Sequence, residues 1–254
     1  MSDYSQAAFD FPEAALPEWA KQIVVFDTET TGLDLKQARI VTACVAELDE
    51  TGALASPAQE WLADPGIEIP ETATNVHGIT TEFARDAGRP AKEVVAEIVA
   101  ALRGYQDRGI PIVAYNAPYD FTILHWEAVR HGIEPLAPTL VLDPLVIDKF
   151  ADQYRKGKRR LEIVAAHYNV PLTDAHNATA DAVASGRVLQ AVARAQSTKL
   201  NYSLLELHAK QIEWEKAQSA NFAKYMRESV NPNFKEDPGW PLKLGQAAET
   251  RLSR

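Results

Sequence analysis

The most constraining feature of the sequence is a short apolar run that ends in two closely spaced acids. Residues 23–26 read Ile-Val-Val-Phe and lead into Asp27 and Glu29. Branched and aromatic residues in such a run predict a buried strand. Residues two apart on a strand point to one side, so the Asp27 and Glu29 carboxylates would converge, while Thr28 points to the other side.

Two converging carboxylates repel each other unless a positive charge lies between them. A divalent cation is the natural occupant of such a position. The same two residues are also compatible with a solvated strand end that binds nothing, so this pair alone leaves both interpretations open.

A third acid follows another predicted strand. The strand covers residues 111–115, Asn116 makes the turn, and Pro118 begins a helix that carries Asp120 in its first turn. A carboxylate at this position could bind a metal, or it could simply complement the positive end of the helix dipole.

The fourth acid lies in the segment from His176 to Ala182. Asn177 is a good N-cap for a helix over 177–196, which places Asp181 about one turn inside and His176 just outside the helix. An ordinary capped helix with an exposed histidine is the alternative interpretation. Small residues on this helix would allow it to lie close to a sheet.

The periodicity predicts five strands and six helices. The strands fall at 23–26, 39–48, 58–63, 111–115 and 139–142, and the helices at 90–103, 117–131, 144–150, 160–168, 177–196 and 204–230. Consecutive strands followed by alternating strands and helices predict an α/β fold with a mixed five-stranded sheet flanked by helices. We expect a tail over 1–20, a main domain over 21–197 and a helical C-terminal extension over 198–254.

Composition narrows the function. The net charge is −9 over 254 residues, with −11 before residue 198 and +2 after residue 197. This acidity argues against a passive nucleic-acid coat protein, but not against an enzyme whose carboxylates bind metal ions. The single cysteine, Cys44, excludes an internal disulfide framework and favours a buried apolar role. We expect a cytoplasmic protein, since neither a targeting signal nor a membrane-spanning run is recognisable.

Three motifs resemble those of the DEDD superfamily of 3′→5′ exonucleases. The run from Val25 to Leu33 is similar to the first motif, Asn116 to Asp120 to the second, with Tyr119 where Phe is usual, and His176 to Ala182 to the third. Asn177 occupies the position where another subtype carries tyrosine, so the sequence resembles the histidine subtype. Among its members, the proofreading epsilon subunits of bacterial DNA polymerase III and their stand-alone relatives are the most similar.

The resemblance implies an RNase H-like fold and a two-metal hydrolysis at the 3′ end of DNA. It implies that two Mg²⁺ or Mn²⁺ ions are held by four acids, and that His176 is the general base. The four acids are Asp27, Glu29, Asp120 and Asp181. The expected substrates are single-stranded or frayed 3′ ends of DNA, and RNA is the alternative substrate, because the sequence does not show what surrounds the sugar 2′ position.

Eight further residues are candidates for substrate binding, and they are Thr28, Thr30, Gly32, His77, Tyr119, Arg155, Lys158 and Arg159. The segment around His77 resembles a cleft-lining segment of these exonucleases, although a structural turn histidine is an equal alternative. Residues 155–160 carry five positive charges, which favours guidance of the strand over a solvated basic loop. Asp143 precedes Pro144 and is predicted to cap a helix, with no metal role.

The C-terminal extension lies outside the three motifs. Its predicted helix either packs on the main domain or docks on a polymerase or a second copy of the chain. The main rival to an enzyme is therefore a polymerase-associated subunit that acts through binding, and the complete set of five catalytic residues argues against it.

Overall fold

The structure, a computed structural model, describes residues 15–172, 176–235 and 238–245. A short 3₁₀ turn at Glu18–Ala20 precedes the first strand. The strands are β1 (Ile23–Thr30), β2 (Ile40–Leu48), β3 (Gln59–Asp64), β4 (Arg89–Pro90), β5 (Ile112–Val113) and β6 (Val141–Leu142). The helices are α1 (Glu71–His77), α2 (Thr81–Ala87), α3 (Ala91–Asp107), α4 (Pro118–His131), α5 (Pro144–Ala151), α6 (Leu161–His167), α7 (Ala178–Ala195) and α8 (Leu204–Ser229).

The sheet has the order β4-β3-β2-β1-β5-β6 and is mixed in direction. Antiparallel pairing joins β1 to β2 and β2 to β3, while the pairs β1–β5, β5–β6 and β3–β4 are parallel. The prediction of a mixed sheet is confirmed, but its count of five strands is wrong. The sixth strand, β4, is two residues long and contains a proline, which gives no apolar pattern from which to predict it.

Helices α1 and α2 were also absent from the prediction. Each has seven residues, too few for a helical period to become visible. A hydrogen bond from the Phe83 amide to the Thr80 side chain caps α2. Gly78, in the left-handed conformation, ends α1. These two helices place the segment around His77 at the end of the sheet.

The central strand β1 is covered on both faces. Ile23 and Val25 pack in one apolar cluster with α7, whereas Val24 and Phe26 pack in a second cluster with α3 and α4. The alternation then continues with polar residues beyond Phe26. Consequently the Asp27 and Glu29 side chains lie on the α7 face, and the two buried threonines that follow Phe26 lie on the α4 face.

Helix α7 lies directly on the sheet because it carries small residues. A methyl group added at Gly186 would approach a Val25 side-chain atom at 2.5 Å and a Leu48 side-chain atom at 2.6 Å. The predicted close packing of this helix is therefore confirmed. The close approach also fixes the depth at which the first turn of α7 meets the end of β1.

The extension packs back onto the rest of the chain. Helix α8 lies along the outer edge of β6, where the His208 ring and the Gln211 side chain bond the main chain of Val141. Edge strands expose unpaired main-chain groups, so these side chains substitute for a missing neighbouring strand. None of the helices in the described ranges is long and apolar enough to span a membrane.

We predict that Gly186→Leu lowers the free energy of unfolding by about 3 kcal/mol, because the new side chain overpacks the contact between α7 and β1. Urea denaturation measures this change. The matched control is Gly104→Leu on α3, where an added methyl group meets no atom within 4 Å, and we expect a stabilisation of about 0.5 kcal/mol from helix propensity. Equal effects at both positions would contradict the proposed close packing.

Candidate active site

The polar end of β1 brings the predicted acids together. Asp27 and Glu29 point to the α7 face, and both are partly buried. The charges of Asp120, Glu29 and Asp181 all raise the pKa of Asp27, although burial is the largest cause. Asp27 thus lies close enough to each of the other three acids for their charges to affect its ionisation.

Asp120 reaches this group from the opposite face. It lies in the first turn of α4 and is only 2% exposed. Its Oδ1 accepts hydrogen bonds from the Thr28 amide at 3.0 Å and from the Thr28 hydroxyl at 2.7 Å. Burial raises the pKa of Asp120 to about 7, and the Thr28 bonds oppose this rise. These bonds fix the Asp120 carboxyl group at the end of the strand.

Thr28 is 5% exposed and turned away from the α7 face, and its hydroxyl donates a hydrogen bond to Asp120. Its predicted contact with a substrate stays a prediction. The geometry makes Thr28 a positioning residue, because it anchors one of the four carboxylates.

The third motif forms the loop and first turn of α7. Asn177 caps the helix by accepting hydrogen bonds from the Thr179 and Ala180 amides. His176 adopts a left-handed conformation with φ of 70° and donates its amide hydrogen to Asp181 Oδ2 at 3.0 Å. Its side chain is exposed. One possible ligand atom from each of Glu29, His176 and Asp181 lies within 4.8 Å of the other two.

The electrostatics of the group fit a bound cation. Burial and, after it, the charges of Asp181 and Asp120 together raise the pKa of Glu29 to about 8. Carboxylates that repel one another in this way gain most from a divalent ion placed between them. All four acids offer oxygen ligands, which suit Mg²⁺ and Mn²⁺.

A cleft of about 620 Å³ opens beside the acids. Its walls are the end of β1, strands β2 and β3, the α1–α2 segment and the start of α7, and they include Glu29, Val76, His77, Ile79 and His176. This volume lies in the range of small-molecule sites. The exposed side chain of Val76, together with Ile79, gives the cleft an apolar edge next to its acidic end.

Both interpretations of His77 describe part of what it does. Its Nδ1 accepts a hydrogen bond from the Ile79 amide at 3.1 Å, which stabilises the turn after α1. The same side chain also lines the cleft. Burial lowers the pKa of His77, partly offset by the nearby Thr30 main chain.

Tyr119 connects the second motif to the first. Its hydroxyl lies 2.6 Å from the Thr30 hydroxyl, and both hydroxyls lie 3.0 Å from the Gly32 carbonyl oxygen. The departure from phenylalanine therefore supplies hydrogen bonds that tie the loop after β1 to α4. Among these three predicted substrate-binding residues, Thr30 is 5% exposed and takes part in this network.

The predicted basic segment is not a uniform cationic surface. Asp148 Oδ2 forms ion pairs at 2.5 Å with both Arg155 and Arg159, whose side chains are 14% and 10% exposed. Both guanidinium groups thus neutralise a buried carboxylate, which is a structural role, and neither lines the acidic cleft. Lys158 is exposed and lies outside the residues that line the cleft.

The structure also reveals an acid that the motifs do not include. Glu60 on β3 lines the cleft and accepts a hydrogen bond from the Thr179 hydroxyl. In the sheet register, Asp27 pairs with Cys44 and Cys44 pairs with Glu60, so the three residues form a row across the sheet. Only the register shows that this glutamate shares a face with Asp27.

Asp143 has the structural role that was predicted for it. Its carboxylate caps α5 by accepting the Leu145 amide hydrogen at 3.0 Å. It also accepts hydrogen bonds from the amides of Asn116 and Ala117, in the turn that leads to α4. Cys44 is fully buried, as predicted, and burial raises the pKa of its thiol to about 11.

Comparison with known proteins agrees with this geometry. The chain matches the family described as Exonuclease, RNase_T, over residues 24–189, a range that contains all four acids and His176. The chain belongs to the Exonuclease family. This membership confirms the resemblance drawn from the three motifs.

Curated relatives include DNA polymerase III PolC-type proteins. That of Pediococcus pentosaceus is 28% identical over 65% of this chain and 11% of its own length, and that of Streptococcus suis is 30% identical over 73% and 12%. A DNA polymerase III subunit epsilon-like protein of Rhodobacter capsulatus is 32% identical over 56% of this chain and 21% of its own length. The chain thus spans only about a tenth to a fifth of these relatives.

Solved structures of E. coli exonuclease I share the fold. A complex with a dT13 oligonucleotide aligns with a TM-score of 0.58 at 18% identity, over 71% of this chain and 42% of that chain. A zinc-bound complex with single-stranded DNA aligns with a TM-score of 0.56 at 20% identity, over 70% and 41%. These alignments support the RNase H-like fold.

The raised pKa of Glu29 predicts how pH affects the metal-free protein. The folded value of about 8 exceeds the ordinary value of 4.5, so the folded state binds more protons between these pH values. Ionisation of Glu29 therefore reduces folding stability as pH rises through this window. In the presence of a chelator, Glu29→Gln should raise the melting temperature by about 3 °C at pH 9 and hardly change it at pH 5.

Differential scanning calorimetry measures this effect. The control is Glu82→Gln on the exposed side of α2, for which the two pH values should give the same small change. Saturating Mg²⁺ should stabilise the unaltered protein more than Glu29→Gln, because the variant lacks one ligand. A Glu29→Gln variant that is destabilised at pH 9 without metal would refute the electrostatic analysis of the cleft.

Proposed function

We propose that this protein is a metal-dependent 3′→5′ exonuclease that releases nucleoside monophosphates from the 3′ end of DNA. The observation that carries the proposal is the grouping of four carboxylates and one histidine at the end of β1, beside a cleft that Glu29 and His176 line. Membership of the Exonuclease family supports the reaction class. The intact set of acids also favours catalysis over a subunit that acts only through binding.

In this proposal, Asp27, Glu29, Asp120 and Asp181 hold two Mg²⁺ or Mn²⁺ ions. When bound, such ions supply positive charge to the scissile phosphate and to the attacking and departing oxygens. Asp27, which lies close to each of the other three acids, would hold the ions together with them. Asp120 is held by Thr28, so it needs little reorganisation when the substrate arrives.

His176 is the proposed general base. A ring nitrogen of His176 accepts the proton of the attacking water, and the new bond to phosphorus forms as the bond to the departing 3′ oxygen breaks. Its exposed position just before α7 leaves the ring accessible to solvent and substrate. The hydrogen bond from the His176 main-chain amide to Asp181 holds the main chain of His176 in place while its side chain moves.

The cleft provides a place for the terminal nucleotide. Val76 and Ile79 present apolar surface that suits the face of a base. His77 lines the same cleft, and Glu29 lines its acidic end. A nucleotide in this cleft would have its base against the apolar edge and its phosphate beside the acids. Gly32 and Tyr119 shape the loop next to the acids and are proposed to contact the sugar.

DNA is the proposed substrate, because the curated relatives are DNA polymerase III proteins and the solved exonuclease I complexes contain DNA oligonucleotides. An RNA substrate is the second candidate. The first experiment incubates the protein with 5′-labelled single-stranded DNA or RNA of matched sequence, with Mg²⁺ or a chelator. A metal-dependent ladder that shortens from the 3′ end supports the proposal, and the faster oligomer identifies the substrate class.

Asp27→Asn should abolish cleavage, with a loss of at least about 1,000-fold in rate, because it removes a charge that lies close to each of the other three acids. The fold should survive, which thermal unfolding in chelator can verify. Asp86→Asn removes an exposed carboxylate on α2 and should leave the rate unchanged. If Asp27→Asn retained substantial turnover with Mg²⁺ present, the metal assignment would be wrong.

His176→Ala and His176→Asn should each reduce the rate about 100- to 10,000-fold and preserve oligonucleotide binding. Asparagine tolerates the left-handed main chain of this position, so it separates loss of the base from main-chain strain. The residual rate should rise with pH, as hydroxide replaces the missing base. The control is His167→Asn at the end of α6, and a normal rate near neutral pH in both His176 variants would remove this residue from the mechanism.

A further inference from the structure

A second groove lies on the β6 side of the acids, between α5 and α8. Two adjoining depressions of about 210 Å³ and 540 Å³ share Lys149, Gln218 and Phe222. The first also includes Asn116 and Pro118, which lead into the helix that carries Asp120. We refer to these two depressions as the α5–α8 groove.

Lys149 is the unusual residue of this groove. It is partly buried, and burial lowers its pKa, yet its ammonium group forms no hydrogen bond or ion pair with any residue in the described ranges. A desolvated charge normally has a partner. Lys149 therefore lines both depressions as a cation that the nearby charges of Asp143, Glu215 and Asp148 favour, but with which no carboxylate in the described ranges forms an ion pair.

The acids close to Lys149 already have other partners. Asp148 is bound to Arg155 and Arg159, and Asp143 accepts main-chain hydrogen bonds. Glu215 accepts a hydrogen bond from the Ser219 hydroxyl. Among the described residues, Lys149 and Lys243 are the lysines that line the groove, and the carboxylates of Asp143 and Glu215 line its first depression as well.

The rest of the groove combines a polar floor with an exposed aromatic ring. Gln218 donates to the Val146 carbonyl oxygen at 3.0 Å, which holds α8 against α5. Phe222 is 55% exposed and projects from the same side of α8, and the Trp214 ring stacks on the Phe150 ring at 3.7 Å. A cation beside an exposed aromatic ring suits a chain of alternating phosphates and bases.

We propose that the α5–α8 groove binds the single-stranded part of the substrate upstream of the 3′ end that lies in the acidic cleft. This inference rests on the proposed function and specifies how the strand is held. Lys149 contacts a backbone phosphate, and a base stacks on Phe222. The C-terminal extension, whose net charge is +2, contributes Phe222 and Lys243 to this groove, and the acidic main domain contributes Lys149.

The position of the groove supports this path. β6 lies two strands from β1, a separation of about 10 Å. The cleft for the terminal nucleotide lies on the β2 side of the acids, and the α5–α8 groove lies on the opposite side, past the end of β5. A nucleic-acid strand that occupies both the cleft and the α5–α8 groove would therefore pass over the carboxylates that lie between them.

The test measures binding of fluorescein-labelled dT12 and dT3 to the full chain by anisotropy, in chelator to prevent turnover. Lys149→Gln and Phe222→Ala should each raise the Kd for dT12 about fivefold and the Kd for dT3 less than twofold, since dT3 is too short to reach the groove. Lys149→Gln should also reduce the salt slope of dT12 binding by about 0.7. Lys149→Arg, which keeps the charge, should restore most of the affinity.

The matched control is Lys224→Gln, which removes a lysine from α8 outside the groove and should leave dT12 binding unchanged. Equal dT12 affinity in all variants, or an equal loss for dT3 and dT12, would overturn the groove assignment. Because binding is measured without turnover, a failure of the proposed exonuclease activity is detected separately, as a lack of cleavage by the unaltered protein with Mg²⁺.

Discussion

Four carboxyl groups lie close together at the end of β1, and their mutual repulsion is the constraint that the surrounding structure has to accommodate. Asp27 senses the charge of the other three, and burial adds to the cost of ionising it. The fold holds the acids in place by covering both faces of β1 and by bonding the Asp120 carboxylate to Thr28 across 92 residues of sequence. The acids are therefore positioned in advance by packing and hydrogen bonds. In the proposed reaction, this leaves their unbalanced negative charge available to bind cations.

The same support extends to the C-terminal extension through Asp143. This buried carboxylate accepts the amide hydrogens of Asn116 and Ala117, at the turn that leads to the helix carrying Asp120. Its own amide donates to Gln211 of α8, and its Oδ2 accepts a hydrogen bond from the Trp240 indole at 3.3 Å. The extension thus contacts the framework of the active site at Asp143, and also at Thr122 of α4, whose hydroxyl accepts the Lys243 amide hydrogen at 2.9 Å. Of the two interpretations of its helix, packing on the main domain is the one observed, and the surface that still faces outward includes the α5–α8 groove.

The sequence was most informative where a local pattern determines the outcome. The apolar run before Asp27, the cap at Asn177 and the proline at the start of α4 each predict an element and the position of an acid within it. What could not be predicted depends on contacts between distant residues. The role of Thr28 depends on Asp120, and the place of Glu60 in the cleft depends on the register of three strands. The pairing of Arg155 and Arg159 with the buried Asp148 could not be predicted for the same reason, and both arginines also line the second depression of the α5–α8 groove.

An acidic protein that acts on a polyanion needs negative charge to bind catalytic cations and positive charge to bind the substrate. These two kinds of charge have to lie in different places. Long-range repulsion between the first 197 residues, whose net charge is −11, and a phosphate backbone opposes association, and screening by salt reduces it only beyond about 8 Å. Cations bound among the four acids would invert the local potential at the cleft. They would do little for the strand further away, where Lys149 and the positively charged extension lie. In the proposed arrangement, the four acids therefore supply catalysis and the α5–α8 groove supplies affinity. The hydrogen bonds of Asp143 keep the acids and the groove in a fixed relative position.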